Sequence, residues 1–166
     1  MPSMTIDVVD DSDRPVGTID RDAVLGSGQA FRTAHVFLRD NAGRLLLQRL
    51  AATRPRHPGR WGSSVAAYLH AGETYQAAAA RRLGEELGVA GATLRLLGKL
   101  RMDEEGARKF VTLFAAEQTG PLTPDPAVID EVRWAAAATI RDELAARPES
   151  FTPTFALVLE LYRREA

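Results

Sequence analysis

The sequence predicts a single α/β domain, an α/β/α sandwich in which a mixed β-sheet lies between helical layers. Three observations predict it. The chain has 166 residues, of which 45% are hydrophobic and 26% charged, enough for one large core. Strand-like runs come first and return after a central helix, and two helical segments close the chain. One domain is therefore expected over residues 1–166.

The first half of the chain reads as strands joined by turns. Alternating apolar and polar residues predict a leading hairpin over about residues 4–20, with its turn at 11–13. Apolar runs predict strands over 31–38 and 45–48. Residues 53–62 form a loop because prolines and glycines interrupt them. This loop is the most basic short segment of the chain, holding Arg54, Arg56, His57 and Arg60.

One helix is predicted near the middle of the chain. A short strand over 63–69 precedes it, and Thr74 is expected to cap it through the side-chain hydroxyl. The helix is predicted to end at Leu87, because Gly88 can adopt the left-handed conformation of a C-terminal cap. Its predicted buried stripe consists of Ala79, Ala80, Leu83 and Leu87.

The second half returns to strands and then to helices. Two long strands are predicted over 93–102 and 109–117, joined by an acidic turn at 103–106. A short strand follows at 131–134 and a helix at 136–146. Thr152-Pro153 then opens a final helix, since proline suits the first helical turn.

Composition excludes several classes of function. With 21 Lys+Arg against 22 Asp+Glu, the net charge of −1 gives no general attraction to a nucleic-acid polymer or an anionic membrane. The absence of cysteine excludes disulfides, thiolate zinc sites and thiol nucleophiles. The start of the chain lacks a basic segment followed by an apolar run, so we expect a cytoplasmic protein. A small molecule is the expected partner, and a homodimer stays open.

Three carboxylates cluster on and just before the central helix. Residues three and four apart share a helix face, so Glu85 and Glu86 lie close to Arg82, while Glu73 can lean over the helix start. Carboxylate oxygens suit a hard cation such as Mg²⁺ or Mn²⁺, which takes one or two carboxylates and fills its shell with water and phosphate oxygens. An ordinary solvated helix face would also place two glutamates side by side.

The segment 67–89 resembles the Nudix box, G-x5-E-x7-R-E-U-x-E-E-x-G-U with U a bulky aliphatic residue. The matching positions are Glu73, Arg81, Leu83, Glu85, Glu86, Gly88 and Val89. The resemblance implies metal-dependent hydrolysis of a diphosphate linked to another moiety. It implies Glu73, Glu85 and Glu86 as metal residues, with Glu85 and Arg81 as catalytic residues and Arg81 orienting through Glu73.

Two positions depart from the box. Ala67 replaces the opening glycine, and Arg82 replaces the first glutamate of the triple. One interpretation is that Arg82 bridges Glu85 and Glu86 and fills the space of a metal, which gives a silent domain that binds a phosphorylated ligand or a protein partner. The other is that Arg82 turns toward substrate phosphate and leaves both glutamates for the metal.

Further motifs are similar to the isopentenyl diphosphate isomerase-like branch of this superfamily. They are Val16–Thr18, Gly43–Arg49, Pro58–Trp61 and Ser150–Pro153. Bacterial isomerases also carry Arg-Arg at positions 81–82, and their diphosphate contacts fall near Arg21 and Arg54. The resemblance therefore implies that Arg21, Arg54 and Arg82 bind substrate.

The residues required for isomerisation are replaced. The isomerase cysteine aligns with Ala66. The metal histidines fall near Leu25, Phe31 and Tyr68, and the metal glutamates near Ala107 and Lys109. Isomerisation of an alkene needs a proton donor and a proton acceptor, which these side chains do not supply, so we expect no isomerase activity.

The remaining histidines and aromatic residues have structural interpretations. His35, His57 and His70 lack the spacing of paired metal ligands, so we expect them in the core, in a loop and in a turn. Trp61 and Tyr68 could stack on a base, but core packing is the favoured prediction.

Overall fold

A computed structural model describes residues 4–166, so the first three residues of the predicted domain lie outside the description. Its strands are Thr5–Val9 (β1), Pro15–Asp20 (β2), Ala30–Arg39 (β3), Leu45–Leu50 (β4), Trp61–Gly62 (β5), Val65–Tyr68 (β6), Arg95–Glu104 (β7), Ala107–Glu117 (β8) and Ile129–Ala135 (β9). Its α-helices are Tyr75–Leu87 (α1), Ala137–Ala146 (α2) and Phe155–Glu165 (α3). Short 3₁₀ turns at Arg21–Ala23 and Pro148–Ser150 were not predicted.

The sheet is mixed, as predicted, and β3 lies at its centre. This strand runs parallel to β8 and antiparallel to β6, and β7 extends the sheet beyond β8. The leading hairpin pairs β1 with β2 antiparallel, from Thr5 opposite Asp20 to Val9 opposite Pro15. A second group of antiparallel strands places β4 between β5 and β9.

Helices cover both faces of this sheet, which confirms the α/β/α architecture. Alternate residues of β3 point to opposite faces. Ala34, Val36 and Leu38 pack with the buried residues of α1, while Phe37 packs with residues of α2 and α3. The two cores explain why β3 is an almost continuous apolar run: both of its faces are buried.

Helix α1 begins and ends as predicted, but one residue of its predicted stripe is wrong. Thr74 Oγ1 accepts a hydrogen bond from the Ala77 amide at 3.1 Å, and Gly88 adopts a left-handed conformation at φ 68°. Ala80 is exposed, and Ala78 and Glu86 are buried instead. The buried face of the helix is therefore shifted toward Glu86, whose carboxylate accepts a hydrogen bond from the buried Gln48.

Several boundaries move by a few residues. Of the predicted strand over 63–69, only Val65–Tyr68 (β6) is a strand, while Ser63 and Ser64 make hydrogen bonds inside the protein. The two-residue strand β5 lies at the end of the predicted loop over 53–62. The acidic turn tightens to Glu105 and Gly106, both at positive φ. None of the helices within residues 4–166 is long and apolar enough to cross a membrane.

Candidate active site

The predicted functional residues meet at one cavity of about 460 Å³. It lies between the helix α1, the edge strand β6, the basic loop after β4 and the start of α3. Six of the seven residues predicted for the site line it: Arg21, Arg54, Arg81, Arg82, Glu85 and Glu86. Glu73 is not among its lining residues. The basic loop contributes as expected, because Arg54 and Arg56 both reach the cavity.

Glu86 is the most enclosed acidic group of the cavity, with only 2% of its surface exposed. Its Oε1 accepts from Gln48 Nε2 at 3.1 Å. Its Oε2 lies 2.9 Å from a terminal nitrogen of Arg82 and 3.3 Å from one of Arg54. A buried carboxylate requires such compensation, so two guanidinium groups neutralise this oxygen.

Arg82 contacts both box glutamates. Besides the contact with Glu86, its Nη1 lies 3.7 Å from Glu85 Oε1. The structure therefore has the bridging geometry of the first interpretation, in which a guanidinium occupies the space beside the two carboxylates. The same side chain lines the cavity, so its remaining N–H groups are within reach of a bound anion.

Arg81 holds Glu73 and Glu85 in place. Its Nε and Nη2 donate to the two carboxylate oxygens of Glu73 at 2.9 and 3.0 Å, and its Nη1 donates to Glu85 Oε1 at 2.7 Å. The hydrogen bond with Glu73 is the main reason that the pKa of Arg81 is raised. Burial raises the pKa of Glu73, but the hydrogen bonds from Arg81 and from the His70 amide together outweigh burial, so the pKa is lowered. The predicted orienting pair is thus present, and a metal role for Glu73 stays a prediction.

The oxygen donors at this end of the cavity suit a hard cation. Glu85 and Glu86 supply two carboxylates, the number that Mg²⁺ usually takes from a protein. Beside them, the buried Gln48 Oε1 has no donor among residues 4–166. No group of three or more acidic or histidine side chains suited to a metal occurs within the described chain. The donor set therefore fits a cation whose shell is completed by substrate oxygens.

A polar group missed by the sequence analysis lies on the cavity floor. Lys109, only 6% exposed, donates to Glu104 at 3.1 Å and to Thr154 at 2.7 Å. Burial is the main reason that the pKa of Lys109 is lowered. His35 lies nearby on β3 and contacts Ser63 Oγ through Nδ1 at 2.8 Å. A lysine and a histidine inside apolar strands were the available signal, because such positions are rarely buried unpaired.

Four of the five positions aligned with the isomerase metal ligands meet in space as a hydrophobic group, and the fifth, Lys109, is not part of it. Leu25, Phe31, Tyr68 and Ala107 belong to one hydrophobic cluster. The rings of Phe31 and Tyr68 stack with centroids 5.3 Å apart, and the Arg21 guanidinium lies 4.6 Å above the Tyr68 ring. Tyr68 therefore packs on the core side through one ring face, in line with its predicted packing role.

Fold and cavity together define a class of protein: a single-domain α/β/α protein that presents carboxylates and guanidinium groups in one cavity. Comparison with protein families then gives the particular family. The NUDIX domain model matches residues 30–155, and the chain belongs to the Nudix family. Hydrolases of this family generally use Mg²⁺ or Mn²⁺.

Relatives of this chain have two kinds of name. An isopentenyl-diphosphate Delta-isomerase of Nocardia farcinica is 37% identical, with 98% of this chain and 99% of the relative covered. An uncharacterised Nudix hydrolase of Pseudomonas aeruginosa is 36% identical, with 93% and 90% covered. The crystal structure of DR0079 from Deinococcus radiodurans is similar with a TM-score of 0.83 at 25% identity, covering 97% of this chain and 98% of that one.

Proposed function

We propose that the protein hydrolyses a diphosphate linked to another moiety, with Mg²⁺ or Mn²⁺ as cofactor. One observation supports it above all: Glu85 and Glu86 line the same cavity as Arg21, Arg54 and Arg82. A diphosphate needs positive charge from the protein, and a hard cation needs oxygen from both the protein and the phosphate. This cavity offers both kinds of group at one end.

The residues divide into cation-holding and phosphate-holding groups. Glu85 and Glu86 would hold the metal, which supplies charge neutralisation on the phosphates and a lowered pKa for an attacking water. Arg81 fixes Glu85 by the 2.7 Å hydrogen bond and is itself fixed by Glu73. Arg21, Arg54 and Arg82 would bind the phosphate oxygens.

Arg82 connects these two groups. Its guanidinium lies 2.9 Å from Glu86 Oε2, and the same planar fork matches two phosphate oxygens. A diphosphate entering the cavity would draw the guanidinium groups of Arg82 and Arg54 toward itself and free Glu86. Arg82 is then a substrate-binding residue, and the acidic pair becomes available when substrate is present.

A second candidate is a silent Nudix domain that binds a phosphorylated ligand. The observation that favours it is the double contact of Arg82 and Arg54 with one oxygen of Glu86. If these ion pairs persist when ligand binds, the carboxylate stays neutralised and the cavity is an anion-binding site alone.

Isomerase activity is disfavoured despite the name of the Nocardia farcinica relative. The cavity has Ala66 where those enzymes have their cysteine, and an apolar cluster with Leu25, Phe31 and Tyr68 where their metal histidines fall. Within that cluster only the Tyr68 hydroxyl can transfer a proton, whereas isomerisation of an alkene needs both a proton donor and a proton acceptor.

The deciding experiment combines calorimetric titration of Mn²⁺ with a hydrolysis panel of nucleoside diphosphates and diphospho-sugars. We expect Mn²⁺ binding and phosphate release in the wild-type protein, and the loss of both in Glu86→Gln. Glu160→Gln on the exposed side of α3 is the matched control and should retain both. If Mn²⁺ and substrate analogue bind only separately and nothing on the panel is cleaved, the silent domain is the better description.

A further inference from the structure

The lysine on the cavity floor is unusual in a chain that is rich in arginine. Of the 21 lysine and arginine residues, only Lys99 and Lys109 are lysine. The other permanent cations that line the cavity are arginines, namely Arg21, Arg54, Arg56, Arg81 and Arg82. A guanidinium group keeps its proton inside a protein, whereas a buried lysine amine can lose it and act as a nucleophile. Among the described residues that line the cavity, Lys109 is therefore a candidate nucleophile.

Apolar neighbours separate Lys109 from water. The residue is 6% exposed, although it lines the cavity. It pairs with Phe31 across β3 and β8 and with Met102 across β7 and β8. Paired residues of neighbouring strands lie on the same face of a sheet, so these two side chains flank the lysine. Such desolvation disfavours the charged form of an amine.

The charges around Lys109 Nζ only partly stabilise its proton. Glu104 Oε2 lies 3.1 Å from Lys109 Nζ and 3.4 Å from Arg56 Nη1, so one carboxylate oxygen serves two cations. The other contact of Nζ is the neutral Thr154 hydroxyl oxygen, at 2.7 Å. Burial is the main reason that the pKa of Lys109 is lowered, and Arg56 adds to the effect while Glu104 opposes it. The neutral amine is therefore more accessible here than at an exposed lysine.

The guanidinium groups of the cavity restrict the kind of electrophile that fits. Arg21, Arg54 and Arg82 line the same cavity as Lys109. Guanidinium groups bind phosphate oxygens through pairs of parallel hydrogen bonds. The volume of about 460 Å³ is in the range of small-molecule sites. A small carbonyl compound that carries a phosphate group meets both the cations and the amine.

We propose that Lys109 forms an imine with a phosphorylated aldehyde that the arginines hold in this cavity. The amine supplies the nucleophile, Glu104 is the nearby proton acceptor, and the phosphate gives the aldehyde its affinity for the cavity. This is an activity beyond the proposed hydrolysis, because it uses neither a metal ion nor a diphosphate.

The reaction balances with the groups on the cavity floor. Lys109 Nζ gives a proton to Glu104 and attacks the carbonyl carbon, so a C–N bond forms and an electron pair of the C=O bond moves to oxygen. A proton then moves from the nitrogen to that oxygen, which gives a carbinolamine. Glu104 returns its proton to the hydroxyl group, water leaves, and the nitrogen lone pair forms the C=N bond. The protonated imine keeps the positive charge of Lys109 beside the carboxylate.

Pyridoxal phosphate in metal-free buffer is the probe of this amine. Its imine absorbs visible light, and borohydride reduces the imine to a stable secondary amine that peptide mapping by mass spectrometry locates. At equimolar reagent we expect most of the label on Lys109 and little on Lys99, although the Lys99 side chain is 44% exposed. Equal or greater labelling of Lys99 or of the α-amino group would overturn the proposal and leave Lys109 as the structural partner of Glu104.

Pyridoxal without the phosphate tests the class of aldehyde. Lys109 should be labelled about tenfold or more faster by the phosphorylated form, the effect of one or two charge-assisted hydrogen bonds. Inorganic diphosphate should slow that reaction toward the rate of pyridoxal, because it competes for the same guanidinium groups. Equal rates with the two aldehydes would show that the arginines do not hold the phosphate, which rejects the phosphorylated class.

Two matched variants locate the reaction. Lys109→Arg keeps the positive charge but forms no imine, so the imine absorbance should be lost. Lys99→Arg makes the same change at an exposed side chain and should leave the Lys109 adduct as in wild type. Undiminished absorbance in Lys109→Arg would contradict the proposal. If Lys109→Arg fails to fold, the wild-type peptide map decides, because the two lysines compete there within one molecule.

The covalent site and the proposed hydrolysis can fail separately. The labelling reaction contains no metal ion and cleaves no diphosphate. An adduct on Lys109 in a protein that hydrolyses nothing on the panel above would support the covalent site and reject the hydrolase. Hydrolysis without preferential labelling of Lys109 would do the reverse.

Discussion

A single substitution in the box, the arginine at position 82, sets the charge on the acidic side of the cavity. The guanidinium lies within 2.9 Å of Glu86 Oε2 and 3.7 Å of Glu85 Oε1, so two negative charges face permanent positive charge. A free metal ion has to compete with that contact, whereas a metal ion that arrives with a diphosphate does not, because the phosphate attracts the same guanidinium. We therefore expect the affinity for metal to depend on Arg82 more than on any other cation.

Replacing Arg82 by glutamate should strengthen metal binding in the absence of substrate. The change removes a competing cation and adds a third carboxylate, so Mn²⁺ affinity should rise about tenfold or more, the scale on which ligand environments alter metal affinity. Calorimetric titration without any phosphate ligand measures it. Arg141→Glu makes the same charge change on an exposed position of α2. Equal affinities in the two variants would mean that Arg82 does not compete with metal.

The box residues were predictable from the sequence, while the polar side chains that reach the cavity from other strands were not. Spacing on a helix places Arg81, Glu85 and Glu86 together, and Arg81 also makes the predicted contact with Glu73. Gln48 and Lys109 reach the cavity from strands that are distant in the chain, and their contacts depend on strand register. Register is a tertiary property that a short apolar run does not specify on its own.

At the scale of elements, helix α1 depends on the glycine that ends it. Gly88 has φ 68°, and a Cβ atom placed there would lie 3.0 Å from Thr123 Cβ. Gly84 lies inside the same helix, where an added Cβ would be 3.8 Å from its nearest neighbour, the Val89 carbonyl oxygen. The two glycines therefore have different reasons to be present, although both are exposed.

These glycines should respond oppositely to alanine. Gly88→Ala should lower the free energy of unfolding by about 1–2 kcal/mol, because alanine in the left-handed region is strained. Gly84→Ala should raise it by up to about 1 kcal/mol, the difference in helix propensity. Urea unfolding monitored by circular dichroism measures both changes. A loss of stability in Gly84→Ala as large as in Gly88→Ala would contradict the assignment of Gly88 as the cap.

The leading hairpin is attached to the domain through its turn. Asp13, at φ 61°, accepts from Arg32 Nε at 2.7 Å and from the Tyr75 hydroxyl at 2.7 Å, and it also contacts Lys99. Burial opposes ionisation of Asp13, but the hydrogen bonds from Lys99, Arg32 and Tyr75 outweigh it and lower its pKa. One carboxylate thus joins the turn to β3, α1 and β7.

Removing this charge should loosen the hairpin. Asp13→Asn keeps a residue that tolerates positive φ, so the expected loss of about 1–3 kcal/mol in unfolding free energy reports the charged hydrogen bonds. Asp11→Asn is the control, since that side chain is 78% exposed and its ion pair with Arg108 should contribute less than about 1 kcal/mol. Urea denaturation of both variants gives the comparison. Equal losses of unfolding free energy would show that the hydrogen bonds of Asp13 stabilise the protein no more than the exposed ion pair of Asp11.

For the whole molecule, the architecture could be predicted because its largest features are local. Hydrophobic periodicity and the turn and cap residues predict the two long strands, the capped central helix and the late helices. All of these elements are present. The rotation of α1 about its own axis was less predictable. Ala80 is apolar, as buried residues usually are, yet it is exposed and Glu86 is buried. A buried carboxylate is favourable only because Gln48, Arg54 and Arg82 surround it, which no local pattern shows.

The buried His35 should make the stability of the whole domain depend on pH. Burial, reinforced by the charge of Lys109, lowers its pKa from 6.5 to about 3. Between these values the unfolded chain binds a proton that the folded chain does not. The free energy of unfolding therefore falls as pH falls below about 6.5, with a slope of up to about 1.4 kcal/mol per pH unit. Above that pH the histidine is neutral in both states and its contribution is constant.

Urea denaturation between about pH 7 and about pH 5, above the range in which carboxylates titrate, measures this slope. His35→Gln should reduce it, because glutamine does not titrate. A smaller slope should remain from His57, whose pKa is also lowered mainly by burial. Identical slopes in His35→Gln and wild type would mean that His35 takes up a proton inside the folded domain, and its Nε2 would then be a donor to the cavity.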